Sequence, residues 1–472
     1  MKKKKYILLW ACLGLNLITS CSESLLDVNP QMQNTSNNFY KSEEQLDLGV
    51  TGAYSTLQLN GQYQISNLLL GELPSDNTWD EVPANDGGYC GQLDEFSMTS
   101  NNSITENSWR DNYIGIQQCN VVLNRINGLT DLNEVKKNTT IGEMKFLRGL
   151  MYFNLVRIFG DVPLVTQETE NVNDYFGQGR TASEEIYKQI VADLTDAVSL
   201  LPESASQRGR ASKWAALGIL GKVQLTLHNY AEAKSCLQQV VASQKYTLLD
   251  DPKDIFSPTN KNNKEIIFDV QFESGMNGNT EGSDAYRYFS PSGSVKGGKG
   301  HNLPTKEVYD LFSDKDLRKS AYFILSTGNM ATGKMVQTSE VIEDGGNNVV
   351  VLRYADVLLM LAEAYAEEGN LTNACQYLNN IKQRAGIEDF NSSNKELVLN
   401  EIATERRKEL VNEGHRWFDL IRTGKAVEVM NKYFNSTVGY NGVTVTEDNL
   451  LQPIPQTQID TDSSIQQNKN YN

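Results

Sequence analysis

The sequence predicts a mainly α fold in which paired helices alternate with irregular loops and short strands. Three observations carry that reading: long segments with apolar residues at helical spacing, small residues recurring where two helices would cross, and intervening stretches rich in Gly, Asn and Ser. With 472 residues and 39% hydrophobic content the chain can bury a large core. No Pro-rich or charge-block linker divides it, so one large domain with loop insertions is expected.

The N-terminus reads as a leader. Met1 is followed by Lys2 to Lys5 and then by a mostly apolar stretch, Tyr6 to Leu17, too short to span a bilayer comfortably. Thr19 and Ser20 precede Cys21, and Ile18-Thr19-Ser20-Cys21 resembles the box at which bacterial lipoprotein precursors are acylated and cut. Residues 1–20 are therefore expected to be a signal peptide, with Cys21 the lipid-bearing first residue of the mature chain.

Further along, Phe146, Leu147, Leu150, Met151, Leu155, Ile158 and Phe159 predict a buried helix over 142–159, stopped by Gly160 and Pro163. Thr181-Ala-Ser-Glu184 has the spacing of a capping box, and Ile186, Ile190, Leu194, Ala197 and Val198 follow on one stripe until Pro202. A second pair lies in "SKWAALGILGKVQLTLHNYAEAKSCLQQVV", which breaks near Asn229; Ala215, Ala216, Gly218 and Gly221 would let its two helices approach closely. Trp214, Leu217 and Gly218 resemble the tetratricopeptide pattern, although Gly221 stands where that pattern has tyrosine. Residues 353–381 repeat the idea. Helical repeats are expected at about 38–60, 104–245 and 350–430, and binding-loop insertions at about 61–103 and 264–348.

Within the insertions, "KEIIFDVQF" at 264–272 reads as a strand, 273–302 holds seven glycines, and 320–352 mixes short strand-like runs with turns. Long loops lacking secondary structure are uncommon unless functional. In these loops aromatic residues stand beside polar ones, as in "ELPSDNTWDEVPANDGGYC" and "GSDAYRYFSPSG". A sugar ring offers C–H groups on a face and hydroxyls at its edge, which suits a flat ring flanked by polar groups. Trp79, Tyr89, Tyr286 and Tyr288 are the candidate platforms, with Asp76, Asn77 and Arg287 as edge partners. Trp109, Tyr113, Trp214 and Trp417 fall on predicted helices and are assigned to packing.

The C-terminal third adds "ERRKELVNEGHRWFDLIRTGK" at 405–425, a helix that ends at Gly414 and restarts at Trp417. Its dense Arg and carboxylate groups are expected to tie helices together rather than to catalyse. With "KFLRGLMYFNLVRIFGDVPLV" at 145–165, "NLPTKEVYDLF" at 302–312, "VLRYADVLLMLAEA" at 351–364 and the tail "LLQPIPQTQID…QQNKNY", in that order, the chain resembles the SusD/RagB-type outer-membrane nutrient-binding lipoproteins of Bacteroidetes bacteria. The resemblance implies tetratricopeptide-like helix pairs carrying an irregular ligand-binding region. It also implies a lipid-anchored cell-surface protein that binds oligosaccharides and delivers them to a SusC-like TonB-dependent transporter. Peptide capture by the same architecture and a protein-binding helical scaffold are the alternatives.

Other classes are disfavoured. Loss of residues 1–20 leaves 39 of the 43 Lys and Arg against 59 Asp and Glu, a net charge of −20, so nucleic acid is not an expected partner. His228, His301 and His415 include no pair at metal-ligand spacing, and Cys90, Cys119, Cys236 and Cys375 form no C-x-x-C pair, so neither metal nor cofactor is expected and the disulfide state stays open. The glycine strings 293–300 and 328–335 lack the hydroxyl that a phosphate-binding loop places after its lysine. No carboxylate pair is marked out for glycoside hydrolysis, and no enzyme activity is expected.

Overall fold

The computed structural model describes residues 39–471 apart from Val172, Thr327 and Asn441; the signal peptide and Cys21 lie outside the described residues. The expected mainly α architecture is the one observed. Its long helices are α1 (Glu43–Ser55), α2 (Ser103–Arg125), α3 (Glu134–Phe159), α4 (Ser183–Leu200), α5 (Lys213–Thr226), α6 (Tyr230–Ala242), α7 (Tyr354–Glu367), α8 (Leu371–Arg384), α9 (Lys395–Glu409), α10 (Arg416–Arg422) and α11 (Ala426–Ser436). Each of α2 to α8 packs on the next, so the helices form a continuous stack. The chain leaves this stack after α6 and returns at α7, and those two helices still lie against each other.

Small residues set the spacing. A side chain on Gly221 of α5 would come within 2.7 Å of Leu237 on α6, and one on Gly218 within 2.3 Å of Leu352. That contact gives the physical reason for glycine at 221, where the repeat pattern has tyrosine. The helix expected over 142–159 starts earlier, at Glu134, with Asn133 capping it through the Lys136 amide. The capping box at Thr181 does not form. The Ser183 amide donates instead to Asp161 Oδ1 at 2.8 Å, while Thr181 pairs its backbone with Val162. A carboxylate from the preceding turn does the work that the local pattern assigned to threonine.

Six short strands belong to the insertions: β1 (Thr78–Trp79), β2 (Ile266–Val270), β3 (Leu303–Pro304), β4 (Phe323–Ser326), β5 (Asn329–Thr332) and β6 (Val349–Arg353). They pair antiparallel as β1–β3, β2–β6 and β4–β5. The strand read at 264–272 is β2, and its partner β6 runs directly into α7, so one sheet closes the base of the insertion. One large apolar core underlies the helices, and a smaller one around Val308, Phe312, Tyr322 and Val411 lies beneath the insertion. Trp109, Trp214 and Trp417 are buried in the large core, with Trp417 edge-on to Phe96 at 5.4 Å between centroids.

Between the two cores lies a buried ionic network. Glu409, at the end of α9, accepts from Arg353 at 2.6 Å, Arg318 at 2.8 Å, Tyr322 at 3.2 Å and also Arg384. Arg353 also reaches Glu265 and Glu413, and Lys334 Nζ donates to Glu413 at 2.6 Å. Burial pushes the Glu409 carboxyl up, but the three arginines more than offset this and hold it well below the usual carboxylate range. Arg406 binds Asp356 and Asp419 in the same way. The charged C-terminal segment therefore ties helices together, as its composition suggested.

Candidate ligand-binding site

Trp79 is carried by the two-residue strand β1, whose register sets Trp79 opposite Leu303 and Thr78 opposite Pro304. Beneath it the turn is fastened by polar groups. The Thr305 amide donates to the Asn77 carbonyl at 2.9 Å and Thr305 Oγ1 to the Asp76 carbonyl at 3.0 Å. Arg416 grips the Asp76 carboxylate with two bonds of 2.8 and 3.0 Å, and Arg407 donates to Asn77 Oδ1 at 2.8 Å. Asn77 in turn donates to Glu72, a buried carboxylate that also accepts from the amides of Asn412, Gly414 and His415.

This corrects the sequence reading of Asp76 and Asn77. Both are buried, 2% and 1% exposed, and their side-chain polar atoms face Arg407, Arg416 and Glu72 instead of solvent. Burial pushes the Asp76 carboxyl up, yet Arg416 and Arg407 dominate and leave it below its ordinary value. The pair positions the Trp79 turn instead of meeting a ligand edge.

Trp79 borders an open cavity of about 640 Å³. Tyr309, Lys306, Glu307 and Asp310 line it from the one-turn helix Lys306–Asp310, Asn329 and Met330 from β5, and Tyr433 and Tyr440 from α11 and the loop after it. Leu325 at the hairpin tip and Val438 in that loop complete the wall and are 76% and 97% exposed. The chamber thus combines aromatic faces with acids, an amide and a lysine, the mixture expected of a site for a hydroxyl-rich ligand. Tyr440 donates its hydroxyl to Asp94 at 2.6 Å, which fixes its ring at the wall. Burial pushes the Asp94 carboxyl up to about 8, outweighing that hydrogen bond.

The remaining candidates lie outside the cavity lining. Tyr286, Arg287 and Tyr288 share the one-turn helix Ala285–Tyr288, and none of them lines the Trp79 chamber. Arg287 is engaged by Asp284 and Glu343. The Tyr288 ring is half-buried, with Lys299 Nζ 4.9 Å from its centroid and His301 at 5.7 Å, so its face is partly covered. Tyr89 opens the helix Tyr89–Asp94 and packs its ring against the core. Tyr286 is partly exposed and stands outside the apolar cluster, so of these three rings it is the freest to meet a ligand.

The two aromatic loops are nevertheless joined. The Glu81 amide donates to the Gly300 carbonyl at 2.9 Å, Glu81 Oε2 accepts from the Ser292 amide at 2.7 Å, and Glu81 Oε1 accepts from Asn329 at 2.6 Å. Sequence reasoning missed Tyr309, Tyr433 and Tyr440: the first two lie on helices, outside the loops singled out for their rings. Tyr440 carried a usable signal: "STVGYNG" at 436–442 has the same mix of glycine, small polar residues and one ring as the two loops that were singled out. Also missed was the gathering of Asp80, Cys90 and His301, far apart in sequence and together in space. Among the described residues the four cysteines outside the leader region are free thiols, and no helix is long and apolar enough to cross a membrane.

The sequence matches the SusD family over residues 319–471 and a SusD-like family described as starch-binding associating with outer membrane over residues 24–225. SusD-like proteins P25 and P38 of Formosa agariphila are 27% and 26% identical; P25 aligns over 88% of this chain and 89% of its own, P38 over 97% of each. Among solved structures, a laminarin binding SusD-like protein matches at a TM-score of 0.78 with 28% identity, covering 92% of this chain and 100% of its own. A SusD superfamily protein from Parabacteroides distasonis matches at 0.81 with 26% identity, covering 93% and 100%.

Proposed function

Because the chain belongs to the SusD family, we propose that it is a non-catalytic cell-surface lipoprotein that binds an oligosaccharide and hands it to a SusC-like TonB-dependent transporter. The observation that carries the binding half is the chamber of about 640 Å³ at Trp79, where aromatic faces and hydrogen-bonding groups border one open space. A ring there can stack on a sugar face while Glu307, Asp310 and Asn329 meet hydroxyls. Anchoring through lipid on Cys21 at the outer membrane, and a single domain over 21–472, belong to the same reading and rest on the sequence.

Laminarin is the first glycan to test, since one of the SusD-like relatives binds it. Calorimetry on the wild type, Trp79→Ala and Tyr309→Ala measures the binding half. Each truncation is expected to weaken affinity by about 1–3 kcal/mol, with little change in melting temperature for Trp79→Ala and a lower one for Tyr309→Ala, whose ring also packs edge-on to Phe323 at 5.4 Å between centroids. Wild-type affinity in both variants would place the site elsewhere. Membrane fractionation of Cys21→Ala and co-purification with the transporter measure the delivery half. An unchanged membrane fraction for Cys21→Ala would remove the lipid anchor from the proposal.

A further inference from the structure

Asp80, Cys90 and His301 place a carboxylate oxygen, a sulfur and an imidazole nitrogen all within 4.8 Å of one another. All three side chains are deeply buried, at 3%, 3% and 0% exposure. Asp80 Oδ1 lies 2.9 Å from His301 Nδ1, while Asp86 Oδ2 lies 3.1 Å from Nε2 on the other side of the ring. The second oxygen of Asp80, Oδ2, is buried and finds no hydrogen-bond donor among the described residues. A buried carboxylate oxygen left without a partner costs free energy that a cation would recover.

We propose that Asp80, Cys90 and His301 form a binding site for a thiophilic divalent cation, zinc by its ligand chemistry. Thiolate, imidazole and carboxylate are the donor types zinc takes, and a soft sulfur ligand argues against calcium or magnesium, which take oxygen. Three protein ligands leave a fourth position for water. With one imidazole nitrogen on the metal, the other keeps a proton and donates it to a carboxylate, the arrangement that fixes ring orientation in histidine metal sites. Asp80 stands on the Nδ1 side, so the metal would take Nδ1 and leave the Nε2 proton to be donated to Asp86.

The location gives the ion a use. Asp80 directly follows Trp79, Cys90 directly follows Tyr89, and the His301 ring lies tilted against Tyr288 at 5.7 Å between centroids. A metal there would staple the loop 72–90 to the loop 280–302 and stiffen the floor beside the Trp79 chamber. The site stands independently of any glycan, so the two proposals fail separately.

The test uses the full chain, stripped with chelator, dialysed and loaded with zinc or cobalt(II) alone. About one equivalent of zinc should survive dialysis, and cobalt(II) should give tetrahedral d–d bands with a thiolate-to-cobalt charge-transfer band. Cys90→Ser should abolish the charge-transfer band and lower zinc affinity by at least about tenfold. A folded wild type that retains no zinc overturns the proposal, leaving His301 as a hydrogen-bonded clamp between Asp80 and Asp86. Cobalt binding with no sulfur band overturns it also. Should Cys90→Ser fail to fold, zinc-edge X-ray absorption on the wild type decides: a sulfur neighbour at about 2.3 Å supports the site, and a shell of nitrogen and oxygen alone refutes it.

Discussion

Asp76 shows how a residue in a polar loop can be structural. The local sequence "SDNTWD" reads as solvated surface, yet two arginines that arrive some 330 and 340 residues later enclose the carboxylate. Nothing near Asp76 in the chain announces them, which is why the sequence placed it at a ligand edge. Removing the charge of this buried carboxylate leaves Arg416 without its ion-pair partner and Arg407 with only the exposed Glu307. Asp76→Asn, which keeps the shape, is therefore expected to cost about 3 kcal/mol in denaturant unfolding, whereas Trp79→Ala should leave the midpoint nearly unchanged. An unchanged unfolding midpoint for Asp76→Asn would mean that solvent reaches the pair. The contrast separates the residue that holds the turn from the residue that the turn presents.

At the scale of elements, the stacked helices were legible because burial repeats at the helical period and because small residues mark close crossings. The start of α4 was not, since its cap comes from Asp161 across a tight backbone pairing, and neither was the cavity, whose walls come from five separate segments. The turn between α9 and α10 carries a pH prediction of its own. His415 is held neutral: burial, and then the charge of Lys222, push its imidazole down to about 3, against the pull of Asp356, Glu413 and Asp419. In the unfolded chain the same ring takes up a proton near pH 6.5. Between those values the unfolded state binds more protons, so stability falls as pH falls from about 6.5 toward 3. Over the first two pH units this amounts to about 2 kcal/mol. His415→Gln, which cannot charge, should lose less stability than the wild type between pH 7 and pH 4.5 by about that amount in matched denaturant titrations. Parallel curves for the two proteins would show that the ring charges in place.

For the whole molecule the question is whether the insertion melts apart from the helical stack. It has its own small core, and the chain leaves the stack for more than a hundred residues before returning, which on topology alone invites separate unfolding. The ionic network argues otherwise. Glu409 belongs to α9, Arg384 to α8, Arg353 to the strand that closes the insertion, and Arg318 to the insertion itself, so a single carboxylate receives charge from every part. Pulling the insertion away would separate Arg318 and Arg353 from Glu409, Arg353 from Glu413, and Glu265 from Arg384. We therefore expect one cooperative transition in calorimetry for the wild type. Glu409→Gln removes the shared charge and leaves the buried network, whose arginines keep Asp316, Glu405, Glu265 and Glu413, with one positive charge uncompensated; a loss of about 3–5 kcal/mol is expected. With the tie cut, the insertion should also open first, seen as hydrogen exchange at the amides of β4 and β5 that quickens more than exchange in α3. Equal acceleration in both regions, or two resolved transitions already in the wild type, would show that the network is not what joins them.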